Sequence, residues 1–271
     1  DRIYWSTGQF VLGMFKGAAV VAVYAVAIQL QAIYMGFSTA ISGVFLPKVT
    51  AMVTKENNEK AISDLFIRTG RIQYIIIAFI LTGFVVFGKS FIRLWAGSDY
   101  EDAYGITLCF FIPMTVPLIQ NLGIIILQAR NQMKFRSTLY VVIAFVSLVI
   151  SIPLSKQYGG IGCAISIALA LTTGQIIVMN IYYHRVIHID ILDFWKEIGK
   201  MSLVPFAIGS LSFYLFCIYE IHTVQIFIVC IFAFSCIYVP LFWFFGMNAY
   251  EKELFVSPVR RFVGRLQKNL Q

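Results

Sequence analysis

The sequence predicts an all-α, polytopic helical membrane protein, and three observations support this fold class. First, the 271 residues are 59% hydrophobic and only 13% charged, whereas an ordinary soluble domain carries roughly 25% charged residues. Second, the charges leave seven charge-free windows, and a helix needs about 20 mostly apolar residues to cross a bilayer. The windows are 17–47, 72–88, 103–129, 137–155, 157–184, 201–219 and 221–250.

The third observation is that loops rich and poor in basic residues alternate along the chain. If each window is one crossing, alternate loops contain 16 and 4 Lys or Arg residues, with Arg2 left over. The positive-inside rule then predicts that the richer loops, including those with Arg71 and Arg136, and the C-terminus are cytoplasmic. The formal net charge of +8 therefore indicates orientation in a membrane, and we expect no nucleic-acid partner.

The first segment, residues 1–14, is too short to cross the bilayer by itself. We expect it to be the second half of a helix in a longer protein. If this helix leaves the membrane near Gly13, Arg2 lies about 16 Å deep, close to the bilayer midplane. Charged groups at that depth usually face a cavity, so Asp1 and Arg2 are candidate cavity residues. Alternatively, Arg2 reaches the cytoplasmic interface or pairs with Asp1.

The second crossing, residues 18–46, has two different faces. One is a narrow stripe of small residues that lets a neighbouring helix approach closely. The opposite face is polar and consists of Tyr24, Gln31, Ser38 and Ser42. This face either lines a polar path or forms hydrogen bonds to a neighbouring helix. Pro47, followed by Lys48, predicts that the helix ends at the cytoplasmic surface.

In the window 103–129, prolines and amides share one helix face. The residues are Pro113, Pro117, Gln120, Asn121 and Gln128. Each proline frees a backbone carbonyl, which a membrane tolerates only where protein or water supplies a partner. The pattern favours either a cavity wall with a hinge at the prolines or a static kink that a neighbouring helix satisfies.

Three cytoplasmic stretches are amphipathic, namely residues 54–71, 184–200 and 248–271. In the last of these, apolar residues alternate with Arg and Lys, a pattern typical of a helix lying on an anionic leaflet. We therefore expect membrane lipids among the partners of this protein.

Motifs for catalysis are missing from the sequence. It contains no HExxH, GxSxG, P-loop or Gly-rich dinucleotide motif, so we expect neither an enzyme nor an organic cofactor. His184 and His188 have a spacing that could hold a metal, but they fall in an interfacial loop, and we expect no metal site. The five cysteines lie inside apolar windows and predict buried thiols rather than disulfides.

Several segments resemble the polysaccharide flippases of the MOP superfamily, which are Wzx-type relatives of the MATE exporters. The opening DRIYWSTGQFVLGMFKGAAVVAVYAVAIQLQ resembles their junction of helices 7 and 8, with an Asp-Arg, a Gly-containing turn and a Val-x-x-Tyr-x-x-Ala run. AISGVFLPKVT resembles the end of helix 8, and FIRLWAGSDYEDAY resembles a periplasmic loop. IQNLGIIILQARNQMKFRS resembles helix 10 with its basic turn, and YGGIGCAIS the start of helix 12. The resemblance extends from Asp1 to about Phe245.

The resemblance implies a fourteen-helix fold of which this chain supplies part of helix 7 and helices 8 to 14. A C-terminal lobe would cover residues 1–183, and a connector with helices 13 and 14 would cover 184–247. Residues 248–271 would form a basic cytoplasmic tail. The N-terminal lobe of the same protein would face this lobe across a central cavity.

The implied function is translocation of a polyprenyl-pyrophosphate-linked oligosaccharide across the bacterial inner membrane by alternating access, for export of surface polysaccharide such as O-antigen. Arg2 would contact a phosphate or sugar acid, because guanidinium binds oxyanions bidentately. Asp1 would orient Arg2 or couple transport to H⁺ or Na⁺. Gln120, Asn121 and Gln128 would offer hydrogen bonds to sugars.

Other functions remain open at this point. A cation-coupled MATE-type exporter shares the fold and predicts an acidic residue in the membrane, for which Asp1 is the candidate. A flippase of lipid-linked peptidoglycan precursors is a close relative in the same superfamily. A membrane glycosyltransferase or polymerase would need catalytic carboxylates or a large outer loop, and the longest outer loop here is only 89–102.

Overall fold

The computed structural model describes residues 2–55, 59–217, 221 and 223–257, with the backbone alone described for residues 2–7, 54, 55 and 217. These residues form helices and no strand, which confirms the all-α fold class. The first helices are α1 (Arg2–Phe15), α2 (Ala18–Lys55), α3 (Glu59–Trp95), α4 (Ala103–Ile119) and α5 (Leu122–Ala129). They are followed by α6 (Met133–Leu171), a π-helical segment (Thr172–Val178), α7 (Met179–Arg185), α8 (Ile191–Cys217) and α9 (Val224–Phe245). Residues 249–257 form a last described helix, α10.

In the described part of the chain, five helices are long and apolar enough to cross a membrane, and six if the bent pair α4 and α5 is one span. The protein is therefore a multi-pass α-helical membrane protein. One of these spans, Met133–Arg185, is 53 residues long, which as a straight helix would measure about 80 Å, far more than the roughly 30 Å of a bilayer core.

This long segment is a hairpin of two helical arms. Within this segment, Gly159 has φ 62° and ψ −135°. Residues with a Cβ atom rarely adopt this backbone conformation, whereas glycine adopts it readily. The rings of Phe135 and Tyr182 stack with centroids 4.1 Å apart, although a straight helix would separate them by about 70 Å. We call residues 133–158 the first arm and 160–185 the second arm, and they correspond to the windows 137–155 and 157–184.

The turns between the helices form two groups, as the predicted alternation of cytoplasmic and outer loops requires. At one end, the Lys156 ammonium near the hairpin turn lies 4.8 Å from the centre of the Phe15 ring, at the turn between α1 and α2. At the other end, Arg130 donates a hydrogen bond to the carbonyl of Ile187. Loops of the same predicted side thus meet in space.

Pro47 does not end α2, which continues to Lys55. The prediction from Pro47 was therefore wrong by two turns. A proline removes one backbone hydrogen bond but does not by itself stop a helix, and Val49, just beyond it, is buried against the rest of the protein.

The polar face of α2 forms hydrogen bonds to neighbouring helices. Ser38 of that face donates to the carbonyl of Leu118 at 2.6 Å. Tyr34, which was not assigned to the face, is hydrogen-bonded to Thr115 at 2.9 Å. For Ser38, the structure therefore supports a hydrogen bond to a neighbouring helix rather than a polar path. The acceptor is a carbonyl at the end of α4.

A buried ion cluster ties α3 to α8 and α10. The guanidinium of Arg71, which is 5% exposed, donates to Glu251 at 2.5 and 3.0 Å and to Glu197 at 2.7 Å. Glu251 also accepts from the backbone of Asn248, while its own amide donates to the Asn248 side chain. These reciprocal bonds are a capping box at the start of α10. Arg71 is therefore a buried structural residue inside α3, and its assignment to a loop was wrong.

A surface ion cluster orders the loop between α3 and α4. Glu101 accepts a hydrogen bond from Arg93 and lies 3.5 Å from the Lys89 ammonium. The bond from Arg93 holds the pKa of the Glu101 carboxyl below its ordinary value; partial burial opposes this shift, and the charges of Arg93 and Lys89 add to it.

We expect Glu101→Gln to lower the free energy of unfolding at pH 7 by about 1 kcal/mol or less, because the carboxylate is partly solvated. Because the pKa of Glu101 is lower in the folded protein than the value of about 4.3 in the unfolded chain, the carboxylate stabilises the fold at pH values above about 4.3. This stabilisation is lost as the pH falls through the lowered pKa of the folded state. Thermal unfolding of wild type and variant from pH 7 to 3 checks this, with the exposed Asp99→Asn as control. A difference that grows on acidification would contradict the assignment.

Candidate functional site

The chain bends by 47° between α4 and α5, and the break lies at Gln120 and Asn121. Pro117 precedes it by one turn and lacks a backbone donor. Other helices satisfy carbonyls at the end of α4. Ser38 donates to Leu118, and Gln73 donates to Ile119 at 2.9 Å when its side-chain amide is oriented so that its oxygen accepts from Ser42. Neighbouring helices thus make the break tolerable in a membrane.

A cavity of about 190 Å³ lies beside this break, between α2, α4, α5 and the two hairpin arms. Its lining consists of Met35, Thr39, Met114, Pro117, Leu118, Asn121, Ile124, Arg136, Tyr140, Leu171 and Gln175. A small recess next to it is lined by Pro117, Gln120, Ile124, Arg136, Gln175, Met179 and Tyr183. Arg136 and Gln175 border both spaces.

Arg136 is the charged group of this cavity and is only 7% exposed. Its Nη2 donates to the Tyr140 hydroxyl at 2.8 Å, and the guanidinium lies 5.0 Å from the centre of the Tyr140 ring. Its Nε and Nη1 have no hydrogen-bond partner within the described structure. A guanidinium stays charged in proteins, so this arrangement leaves a buried cation only partly compensated.

Gln175 contributes a further unpaired donor from the second arm. It is 3% exposed and lies in the π-helical segment Thr172–Val178, a local widening that often occurs at functional sites. Its Nε2 has no partner among the described residues.

Gln120 is fixed at the edge of the site by Asn180. The Asn180 side-chain oxygen accepts from Gln120 Nε2 at 2.8 Å and from Trp195 Nε1 at 3.0 Å. The Gln120 Oε1 has no donor in the described part of the chain. The residues around the recess thus provide three unpaired nitrogen donors, two from Arg136 and one from Gln175, and one unpaired acceptor, Gln120 Oε1.

The structure brings together some of the predicted site residues. Gln120, Asn121 and Pro117 border the cavity or its recess. Gln128 is exposed on α5 and does not join them, because the break at Gln120 and Asn121 rotates α5 out of the face that a continuous helix would form. Pro113 is buried in α4 but does not line the cavity.

The remaining predicted residues lie elsewhere. Tyr24 is completely buried and its ring meets that of Phe110 edge-on at 5.7 Å. Gln31 is buried and contacts the Met114 sulfur at 3.3 Å. Both take part in helix packing within the described structure. Asp1 and the side chain of Arg2 lie outside the described residues, so their role stays a prediction.

The sequence interpretation missed Arg136, Gln175 and Asn180 as site residues. Arg136 lies one residue before the window 137–155 and was counted with its loop, although Tyr140 follows one helical turn later. Gln175 and Asn180 are amides inside a charge-free window, and that position alone was a signal, since polar groups in a membrane segment usually face a protein interior.

The fold and site define a multi-pass membrane protein with a buried cationic cavity. The chain is similar to the "Probable flippase AglR" of Haloferax volcanii, with 22% identity over 174 residues. The similarity covers 63% of this chain and 36% of the relative, so it spans just over a third of the relative's length. No protein-family model matches the chain, and no solved structure matches it.

Proposed function

We propose that this protein translocates a lipid-linked glycan across a membrane. The observation that carries the proposal is the incompletely paired, buried Arg136 guanidinium in a cavity between the helices. A buried cation in a membrane protein usually marks a substrate or ion path, and lipid-linked glycans carry phosphate. The similarity to a probable flippase supports the same class of function and favours a transporter over an enzyme.

The finer assignment is a Wzx-type flippase of the bacterial inner membrane that moves a polyprenyl-pyrophosphate-linked oligosaccharide by alternating access. In this proposal, Arg2 contacts a phosphate or sugar acid in the cavity between the lobes. Gln120 and Asn121 offer hydrogen bonds to sugar hydroxyls at the helix break, and Pro117 allows α4 and α5 to change their angle. The distribution of basic residues supports a cytoplasmic C-terminus in this proposal.

The cation-coupled exporter needs a carboxylate that is free to bind the cation. Its candidate carboxylate, Asp1, lies outside the described residues, so the exporter stays the alternative proposal. The buried carboxylate of Glu251 is bound by Arg71 through two hydrogen bonds and does not meet this need. Nothing in the described structure favours the exporter over the flippase.

The proposal is tested by deleting the full-length gene and measuring polyprenyl-linked oligosaccharide in the inner leaflet and polysaccharide at the surface. We expect the lipid-linked intermediate to accumulate and surface polysaccharide to be lost. Wild type should restore both, and Arg2→Ala should restore them about tenfold less efficiently, the effect of losing one charge-assisted hydrogen bond. Lys16→Ala, at the exposed turn after α1, is the matched control. Increased sensitivity to cationic drugs without accumulation would instead support the exporter.

A further inference from the structure

We propose that the Arg136 cavity is a binding site for one phosphate-type oxyanion, held by Arg136 Nε, Arg136 Nη1 and Gln175 Nε2. The binding of an oxyanion follows from the geometry alone. The assignment of this phosphate to a lipid carrier rests on the proposed function.

The donors of the site call for a ligand that accepts hydrogen bonds. Arg136 and Gln175 are each more than nine-tenths buried, and both line the cavity and the recess. Three of their nitrogen donors have no partner in the described structure. Phosphate oxygens accept such bonds, and guanidinium binds them with two parallel donors.

The charge of the site calls for an anion rather than water. Water molecules could fill the hydrogen bonds, but they would leave the buried charge uncompensated. In the described structure no ion pair to Arg136 is present, and the segment 130–136 is basic, with Arg130 and Lys134 near it. Arg136 also lies in the first turn of α6, where the helix dipole disfavours a cation and favours an anion.

The size of the site limits the ligand to a small group. The cavity measures about 190 Å³, which is less than the roughly 300 Å³ at the lower end of pockets for drug-sized molecules. A phosphate fits this space, and an oligosaccharide does not. The apolar side chains of Met35, Met114 and Leu171 also line the cavity, and apolar surroundings strengthen an ionic contact.

The test uses purified full-length protein in detergent and titrates inorganic phosphate by calorimetry and by thermal unfolding, against sodium chloride of equal ionic strength. We expect phosphate to raise the Tm of wild type above the chloride control. Arg136→Gln should weaken phosphate binding at least about tenfold, as expected for loss of a charge-assisted contact. Lys134→Gln, on the exposed side of the same turn, should change it less than about twofold.

The stability of the variants separates ligand binding from a structural role. Without phosphate, Arg136→Gln should be as stable as wild type or more stable, because it removes an uncompensated buried charge. If Arg136→Gln does not fold, Gln175→Leu provides the second test, and it should weaken phosphate binding several-fold. Equal responses of wild type to phosphate and chloride, or unchanged phosphate binding in Gln175→Leu, would overturn the proposal.

A competition experiment identifies the source of the phosphate. Polyprenyl phosphate added to the micelles should raise the apparent Kd for inorganic phosphate in wild type if the site serves a lipid carrier, and should leave it unchanged if the site serves free phosphate. Phosphate binding without accumulation in the gene deletion would refute only the proposed function. Accumulation without phosphate binding would refute only the Arg136 site.

Discussion

Replacing Arg71 by Met will destabilise the protein by about 3–5 kcal/mol, the cost of breaking a buried ion pair from one side. The substitution keeps an apolar stem of similar length but leaves the Glu251 carboxylate, which is 1% exposed, without its cation. The capping box at Asn248 keeps that carboxylate in place, so it cannot easily move to water. Thermal unfolding of the purified protein and its yield in membranes measure the effect.

Arg68→Met is the matched control for this prediction. Arg68 is an exposed cation three residues earlier on α3, and its guanidinium lies 5.3 Å from the centre of the Tyr250 ring. An exposed cation–π contact contributes only about 0.5–1 kcal/mol. Adding Glu251→Gln to Arg71→Met should recover part of the loss, because the orphaned charge is removed. If the Arg71→Met protein is as stable as the Arg68→Met control, the Arg71 ion cluster does not stabilise the fold.

Replacing Gly162 by Val will disrupt the hairpin of the two arms. A Cβ atom at Gly162 would overlap the carbonyl of Leu154 on the other side of the turn. This contact is with backbone, which cannot rotate away as a side chain can. We expect a loss of about 3 kcal/mol, at the upper end of overpacking costs, seen as a lower Tm and poor recovery from detergent.

Gly199→Val provides the comparison for Gly162→Val. Gly199 lies in α8, and a Cβ there meets no atom within 4 Å, so the same substitution should change stability by about 0.5 kcal/mol or less. Similar unfolding temperatures for the two variants would mean that the two arms are farther apart at Gly162 than they are in the structure.

Much of the fold was predictable because membrane crossing imposes strong rules on sequence. Charge-free windows and alternating basic loops indicate each crossing without any knowledge of packing. Each window corresponds to a helix or a helical arm, except that 103–129 forms the bent pair α4 and α5. The separation of windows 137–155 and 157–184 depended on one residue, Lys156, and the structure places the reversal at Gly159.

The packing inside the bundle was less predictable. Helical periodicity shows which residues share a face, but not which neighbour that face meets. From the sequence, Ser38 and Gln31 were therefore equally suitable for lining a polar path or for contacting a neighbouring helix. The counting of basic residues also treats every Arg as a loop residue, and so it placed Arg71 and Arg136 outside the buried interior.

The candidate site could be predicted only in part for the same reason. Gln120 and Asn121 were recognisable as amides near prolines, because such groups are costly in hydrocarbon. Arg136 and Gln175 are 39 residues apart, and only the reversal at Gly159 brings their side chains to one cavity. Gln128 does not border this cavity, because the face predicted for it assumed an unbroken helix.

The Arg71 cluster also has a consequence for how the protein is made. Arg71 and Glu251 are 180 residues apart in sequence, and at about 5–20 residues per second the ribosome needs roughly 10–40 s to synthesise the segment between them. Glu197 emerges first, and Glu251 follows near the end of the described helices. During this interval the nascent chain carries an incompletely neutralised guanidinium in its third helix. A chain that stops before residue 251 never forms the ion pair between Arg71 and Glu251. Its guanidinium stays incompletely neutralised, and this property distinguishes unfinished molecules from complete ones in the membrane.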